Sequence, residues 1–368
     1  MRLGRRFVAG LARVERLLDR RRRRRSVGKE PVIEPYIGYA TPDEIVLRGR
    51  IVTGLRRHEP RPDQHWLTNL RQMVRLFLTN EVSGVAIQAD GHHARSDEEG
   101  YFLLPVPRQG RSGWVEIKVE HMAQVPAPGA LSYAWEPGSE GVVAARLPAF
   151  VPGEGASFGV ISDVDDTMMD TGAWSRTRML WTSFTGNIHT RHIFPDAVKL
   201  MTRLSDGERN PVFYVSSSPW NLHNFLERVF ARHGLARGPL FLRDLGLGEN
   251  KFISGGHGDH KGKAIDLIVE ANPGLPFVLI GDTGQLDAAI YDAAARRHPG
   301  RIVRVILRTS SAGTDAADDV HIRTLRSRGI PVHVGETYAE ALASLDAAPT
   351  LAPRARRMRR MQAEAKGT

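Results

Sequence analysis

The sequence predicts an α/β chain in which a parallel sheet covered by helices follows a small antiparallel β-sandwich. After a Pro/Gly-rich connection at residues 148–155, apolar runs such as "FGVISDV", "PVFYVSSS", "PFVLIGDT" and "RIVRVILRT" alternate with amphipathic segments such as "WNLHNFLERVFARHG" and "HKGKAIDLIVEA". Strands apolar on both faces and interleaved with helices mark a parallel sheet with helices on each side. Before that connection the runs alternate with period two, as in "EIVLRGRIV", "GVAIQADG" and "GWVEIKVE". Such alternation marks antiparallel strands. The length of 368 residues leaves room for both cores.

Taken in order, residues 1–30 form a basic leader. Leu3, Phe7, Leu11, Val14 and Leu18 recur at helical spacing among arginines, and an unbroken arginine run follows. Such a segment can lie on an anionic bilayer surface or stay solvated. Its apolar stretches are too short and too often interrupted for a membrane span or a signal peptide. Residues 31–150 form the expected β-sandwich, with one helix at "HWLTNLRQMVRLFLTN". Within it, "HARSDEEGYFLLPVP" resembles the turn and strand of transthyretin-like and carboxypeptidase-regulatory-like sandwiches. His92 and His93 sit beside turn residues and are read as solvated. Residues 156–347 carry the parallel sheet. The tail at 348–368 is basic without an apolar face, a composition that favours disorder.

Composition narrows the function. Hydrophobic residues make up 41% and charged residues 25%, ordinary for a soluble globular chain. The absence of cysteine excludes disulfides, thiolate metal sites and a cysteine nucleophile, and suits a cytoplasmic setting. A formal net charge of +10 favours anionic partners: nucleic acid, phosphorylated small molecules or a membrane face.

The chemistry concentrates where apolar runs end. Asp163, Asp165 and Asp166 close "FGVISDVDD", the hydroxyls of Ser216, Ser217 and Ser218 close "PVFYVSSS", and Asp282 and Asp287 lie in "GDTGQLD". Parallel sheets place ligands beyond the carboxyl ends of their strands, so these groups are expected at one edge. Lys261 or Lys263 of "HKGKAI" would lie near the start of a helix at that edge. Gathered carboxylates need a cation to offset their repulsion, and hard oxygen ligands suit Mg²⁺. A lysine and a hydroxyl beside them would form a pocket for a dianionic phosphoryl group. An aspartate can attack phosphorus, and a second acid two residues on can serve as acid and base. A calcium loop is excluded for "DVDDTMMDTGAW", because Met168 and Trp174 stand where glycine and glutamate are required.

"DVDDT", "YVSSS", "HKGKAI" and "GDTGQLD" resemble, in order and spacing, the four motifs of the haloacid dehalogenase superfamily of phosphatases. The resemblance implies a Rossmannoid, HAD-like domain. It makes Asp163 the nucleophile, Asp165 the general acid/base and Thr167 a support for their loop. Ser216 would bond the phosphoryl oxygens, and Lys261 would neutralise the phosphoaspartate. Mg²⁺ would be held by Asp163, Asp282 and the main chain of Asp165, with Asp287 behind them. Lys263 competes with Lys261, Asp166 is expected to cap or orient the loop, and His257 and His260 are candidate substrate contacts.

More closely, "SDVDDT", "YVSSSPWNL" and "HKGKA" resemble the catalytic domain of the actin-patch-type phosphatidate phosphatases. That resemblance implies a Mg²⁺-dependent enzyme turning phosphatidate into diacylglycerol. Lipins share the chemistry but carry glycine where this chain has Asp166. Only a minimal cap fits between Thr167 and Asp196, in a segment containing Trp174, Met179, Leu180, Trp181 and Phe184. An open site suits a phosphorylated lipid at an anionic membrane surface. Polynucleotide ends or a phosphoprotein would use the same chemistry, although no nucleic-acid module is present. A reading of another class makes the sandwich a binding unit and the second domain its scaffold.

Overall fold

The computed structural model describes residues 31–53, 80–122, 143–169, 192–243, 257–284, 286–310, 313 and 316–347. The basic leader, nearly all of the helix expected at 65–80, the aromatic segment within 170–191 and the basic tail lie outside the described residues. Among the described residues, no helix is long and apolar enough to cross a membrane.

The N-terminal strands are β1 (Pro31–Ala40), β2 (Glu44–Thr53), β3 (Asn80–Glu81), β4 (Ala86–Ala89), β5 (His92–Arg95), β6 (Tyr101–Pro107), β7 (Gly113–Met122) and β8 (Val143–Val151). Period-two patterning decides which side chains they bury. In β6, Phe102, Leu104 and Val106 enter the core while Leu103 stays 59% exposed. The strands expected as a sandwich are linked by hydrogen bonds into one eight-stranded sheet in the order β3-β2-β1-β8-β7-β4-β5, with β6 also paired to β2. The cause is β1. It pairs antiparallel with β2 along its length and parallel with β8 at Gly38 and Tyr39, so it joins both halves into one ladder.

Strand β2 is buried on both faces. Ile45, Leu47 and Ile51 meet the N-terminal core, whereas Val46, with Tyr39 of β1, joins a core of the second sheet.

That second sheet contains β9 (Gly159–Asp163), β10 (Val212–Pro219), β11 (Leu240–Arg243), β12 (Phe277–Asp282), β13 (Ile302–Arg308) and β14 (Val332–Gly335). Its order is β11-β10-β9-β12-β13-β14, with every pair parallel. The helices are α1 (Pro195–Ser205), α2 (His223–His233), α3 (His257–Ala271), α4 (Asp287–Arg297), α5 (Ala316–Ser327) and α6 (Ala339–Ala347). Alternate strand residues feed opposite layers. Val160, Tyr214, Val278 and Ile306 pack with Leu200 of α1, Val229 of α2 and Leu345 of α6. Ile161, Phe213, Leu279 and Val305 pack with Ile265 of α3, Ala294 of α4 and Leu325 of α5. The chain is therefore α/β, with helices on both faces of a parallel sheet.

The order of strands places the site. From β9 the chain steps outward through β10 and β11, then returns to pair β12 on the other side of β9. This reversal opens a crevice at the carboxyl ends of β9 and β12, where Asp163 and Asp282 stand.

Candidate active site

Lys261, only 2% exposed, enters this crevice from α3. Its ammonium donates a hydrogen bond to Asp287 Oδ1 at 2.6 Å and ion-pairs with Asp163 Oδ1 at 2.7 Å. Asp287 opens α4, and its Oδ2 accepts the backbone N–H of Asp282 at 3.2 Å. The Gly284 N–H donates to Asp282 Oδ1. Gly281 makes this convergence sterically feasible. A Cβ there would collide with the Asp287 carboxylate and stand 2.7 Å from the Tyr291 hydroxyl.

The loop after β9 is fixed from within and from the far end of the chain. Thr167 Oγ1 donates to Asp163 Oδ2 at 3.0 Å, and the Met168 N–H donates to the Val164 carbonyl at 2.9 Å. Asp166 adopts φ +57, a left-handed conformation that aspartate tolerates better than most residues, while its N–H donates to the Met169 carbonyl at 2.8 Å. The hydroxyl of Tyr338, 171 residues away in sequence, donates to the Thr167 carbonyl at 2.9 Å. Its backbone N–H in turn donates to Asp196 Oδ2 at 2.8 Å, and Arg308 Nη1 donates to the same oxygen at 3.1 Å. Tyr338→Phe removes only the hydroxyl. The expected result is a kcat lower by about three- to tenfold, from a net hydrogen bond of about 1 kcal/mol, with KM near the parent's. Steady-state kinetics on the purified variant checks it; an unaltered kcat would show that the loop does not depend on this bond.

Asp165 takes a different direction from its neighbours. Its Oδ2 accepts the hydroxyls of Ser216 at 2.8 Å and Ser218 at 3.0 Å. Ser216 Oγ also accepts the N–H of Ser218 at 2.9 Å. Both serines lie in β10, where period two puts them on one side and leaves half-buried Ser217 on the other. Ser218 is thus, like Ser216, a partner of Asp165. The strand period was the signal that could have found it.

Burial dominates the electrostatics. It pushes the Asp163 carboxyl up to about 8, with Asp287 and Asp165 adding to the rise and Lys261 opposing it. Burial likewise raises Asp282 well above the ordinary carboxyl range, reinforced by Asp287 and Asp163 and opposed by Lys261. For Lys261, burial works against the charge, but Asp163, Asp287 and Asp282 outweigh it and hold the ammonium above the usual lysine range.

The acids fit a divalent cation. One carboxylate oxygen from each of Asp163, Asp282 and Asp287 lies within 4.8 Å of the others, and all three residues are buried. Asp282 Oδ2 is buried without a hydrogen-bond partner, which is costly unless a cation or proton meets it. An all-oxygen donor set suits a hard ion. The carboxylate of Asp165 is not in this group, because Ser216 and Ser218 hold it on the β10 side.

The other residues singled out from sequence divide clearly. Lys263 is exposed on α3, two positions from Lys261 but off its inward face. His260 is buried near the backbone of Phe241 and Ser216, and burial pushes its imidazole below the usual value. Asp170 and the side chain of His257 lie outside the described residues.

Comparison with known proteins finds relatives for part of the second sheet and its helices. Residues 158–309 match the family described as phosphatidate phosphatase APP1, catalytic domain. Phosphatidate phosphatase APP1 of Saccharomyces cerevisiae is 29% identical over 155 residues, covering 42% of this chain and 26% of that protein. An uncharacterized protein of Schizosaccharomyces pombe is 27% identical over 177 residues, covering 47% of this chain and 28% of its own length. The chain thus spans about a quarter of the length of these curated relatives. The matched span includes the acids, Ser216, Ser218 and Lys261, and ends before Tyr338.

Proposed function

We propose, from the match of residues 158–309 to the family described as phosphatidate phosphatase APP1, catalytic domain, that this protein is a Mg²⁺-dependent phosphomonoester hydrolase of HAD-like fold that turns phosphatidate into diacylglycerol. The observation that carries the reading is the Lys261 ammonium lying between Asp163 and Asp287, 2.7 and 2.6 Å from their Oδ1 atoms, at the crevice between β9 and β12. A structural ion pair needs one acid. Here one lysine faces three buried acids, an arrangement suited to receiving a cation and a phosphoryl dianion.

In this mechanism Asp163 attacks phosphorus. The P–O bond to the glyceride breaks as the Asp163–phosphorus bond forms, and Asp165 gives a proton to the departing oxygen. Asp165, now a carboxylate, removes a proton from water as that water attacks the phosphoaspartate. Inorganic phosphate leaves and Asp163 is regenerated. Ser216 and Ser218 orient Asp165 through their hydroxyls before phosphate enters. Lys261 offsets the charge on Asp163 and on the incoming phosphoryl group. Mg²⁺, held by Asp163, Asp282 and Asp287, would supply charge compensation to the phosphoryl oxygens.

Three things support phosphatidate as the substrate: the family of the domain, the name of the yeast relative and the cationic leader at residues 1–30. The test is phosphate release with Mg²⁺ from phosphatidate in mixed micelles, a 5′-phosphorylated oligonucleotide and small soluble phosphomonoesters. The reading expects phosphatidate to be strongly preferred. Preference for either of the other substrates would overturn the lipid assignment, and no release from any would overturn the activity.

Metal binding has its own signature. An acid whose folded pKa is raised gains a proton on folding, so its ionisation removes stability as pH climbs from the unfolded value of about 4 toward about 8. The melting temperature of the metal-free protein is therefore expected to fall over that window. Mg²⁺ should restore it most at the upper end, since binding requires ionised carboxylates. Calorimetric scans across pH with Mg²⁺ or EDTA check this, and a Mg²⁺ effect that is flat or reversed with pH would contradict it.

A further inference from the structure

The turn "SSSPWNL" leaves the edge where the acids gather and packs against the N-terminal sheet. Trp220 follows β10 and opens the short turn Trp220–Leu222. Its ring is stacked on Tyr36 of β1 at a centroid distance of 5.7 Å and meets Tyr101 of β6 at 5.1 Å. The guanidinium of Arg48, from β2, lies 5.1 Å from the Trp220 ring and 4.6 Å from that of Phe241. Arg48 Nη2 also donates to the Leu240 carbonyl of edge strand β11 at 2.9 Å. Next along the chain, His223 stacks on Tyr36 at 3.8 Å, and Asn224 Nδ2 donates to Glu34 Oε1.

Burying an arginine costs several kcal/mol in solvation, and burial lowers the Arg48 pKa to about 10. A sheet that merely needed to dock could use apolar contacts. Here it places a buried guanidinium on β11 and on the turn that follows Ser216 and Ser218.

We infer that the N-terminal sheet is part of the catalytic apparatus: Arg48, with Tyr36 and Tyr101, clasps Trp220 and thereby fixes the β10 end that holds Asp165. Arg48 and Trp220 are positioning residues that act through Ser216 and Ser218. The catalytic consequence rests on the phosphatase reading given above, whereas the clasp itself does not. This gives the N-terminal sheet a role outside the matched span of residues 158–309. Displacement of a general acid/base by a fraction of an ångström lowers turnover more than binding, which sets the expected kinetic pattern.

The test uses the full chain carrying Arg48→Met, Trp220→Ala or Trp220→Phe. A control, Arg237→Met, removes a different contact with the N-terminal sheet, where the guanidinium of Arg237, in the loop before β11, lies 4.3 Å from the Trp114 ring. Kinetics on the best phosphomonoester are read beside deuterium uptake over residues 215–222. Arg48→Met and Trp220→Ala are expected to lower kcat about tenfold or more with KM little changed. Uptake at 215–222 should rise in both, Trp220→Phe should recover most of both readouts, and Arg237→Met should leave both near the parent's. Equal effects from Arg237→Met, or activity losses that follow the folded fraction with uptake unchanged, would overturn the inference. Should the parent release no phosphate, the phosphatase reading and the catalytic role drawn from it both fall.

Discussion

Lys261→Met is expected to cost about 3–5 kcal/mol of stability, the usual penalty for removing one partner of a buried charge pair. Methionine keeps most of the length and apolar volume, so the loss is electrostatic. Asp163 and Asp287 then lack the ammonium that lies 2.7 and 2.6 Å from them, and Asp282 stays beside them. Asp163, whose carboxyl burial already pushes up to about 8, will bind its proton more strongly still, so the deficit should be largest near pH 8 and shrink as pH falls. Mg²⁺ should recover part of the stability. Turnover should still fall by about 10²–10³ in kcat, because a fixed cation at the phosphoryl group has gone. Denaturant melts at two pH values, with kinetics on the same samples, check both effects. A variant as stable as the parent at pH 8 would mean that the ammonium does not balance the acids.

Asp163→Asn carries the largest catalytic effect. The amide is nearly isosteric and can still accept from Thr167, so folding should persist, but it cannot attack phosphorus or hold a cation as a carboxylate does. Loss of at least about 10⁴ in kcat is expected, toward the loss of about 10⁶ found when a protease loses its nucleophile. Stability should move the other way in metal-free buffer near pH 8, where ionising the buried Asp163 carboxyl is unfavourable. A destabilised and fully active variant would refute both halves of this expectation.

The gathering of the acids was legible where burial and charge make a residue type costly. Acids closing apolar strands have little structural use, so Asp163 and Asp282 stand out by their cost, and the strand pattern puts them at one edge. A choice between Lys261 and Lys263 was not legible, because helix phase is needed to see that Lys261 turns inward and Lys263 to solvent. The direction of Asp165 was also hidden. Its carboxylate could have joined the other acids, and only the two serine hydroxyls draw it toward β10.

Long-range contacts account for most of the rest. Nothing local marks Tyr338 as a partner of the loop at Thr167, since the two are brought together only by α6 packing back onto the sheet. The short parallel pairing of β1 with β8 likewise has no local signature, so the alternating runs show the strands but not the ladder that links them. Arg48 reads in sequence as an ordinary outward residue of an amphipathic strand. Its burial against Trp220 and β11 appears only once the second sheet is in place.

Whether Asp163 carries the phosphoryl group is decided by quenching the protein in acid during turnover of ³²P-phosphatidate and locating the label. An aspartyl-phosphate intermediate gives an acid-stable, hydroxylamine-sensitive label on Asp163 that is absent from Asp163→Asn. Turnover with the label on another residue, or with none trapped while Asp163→Asn still releases phosphate, would contradict it.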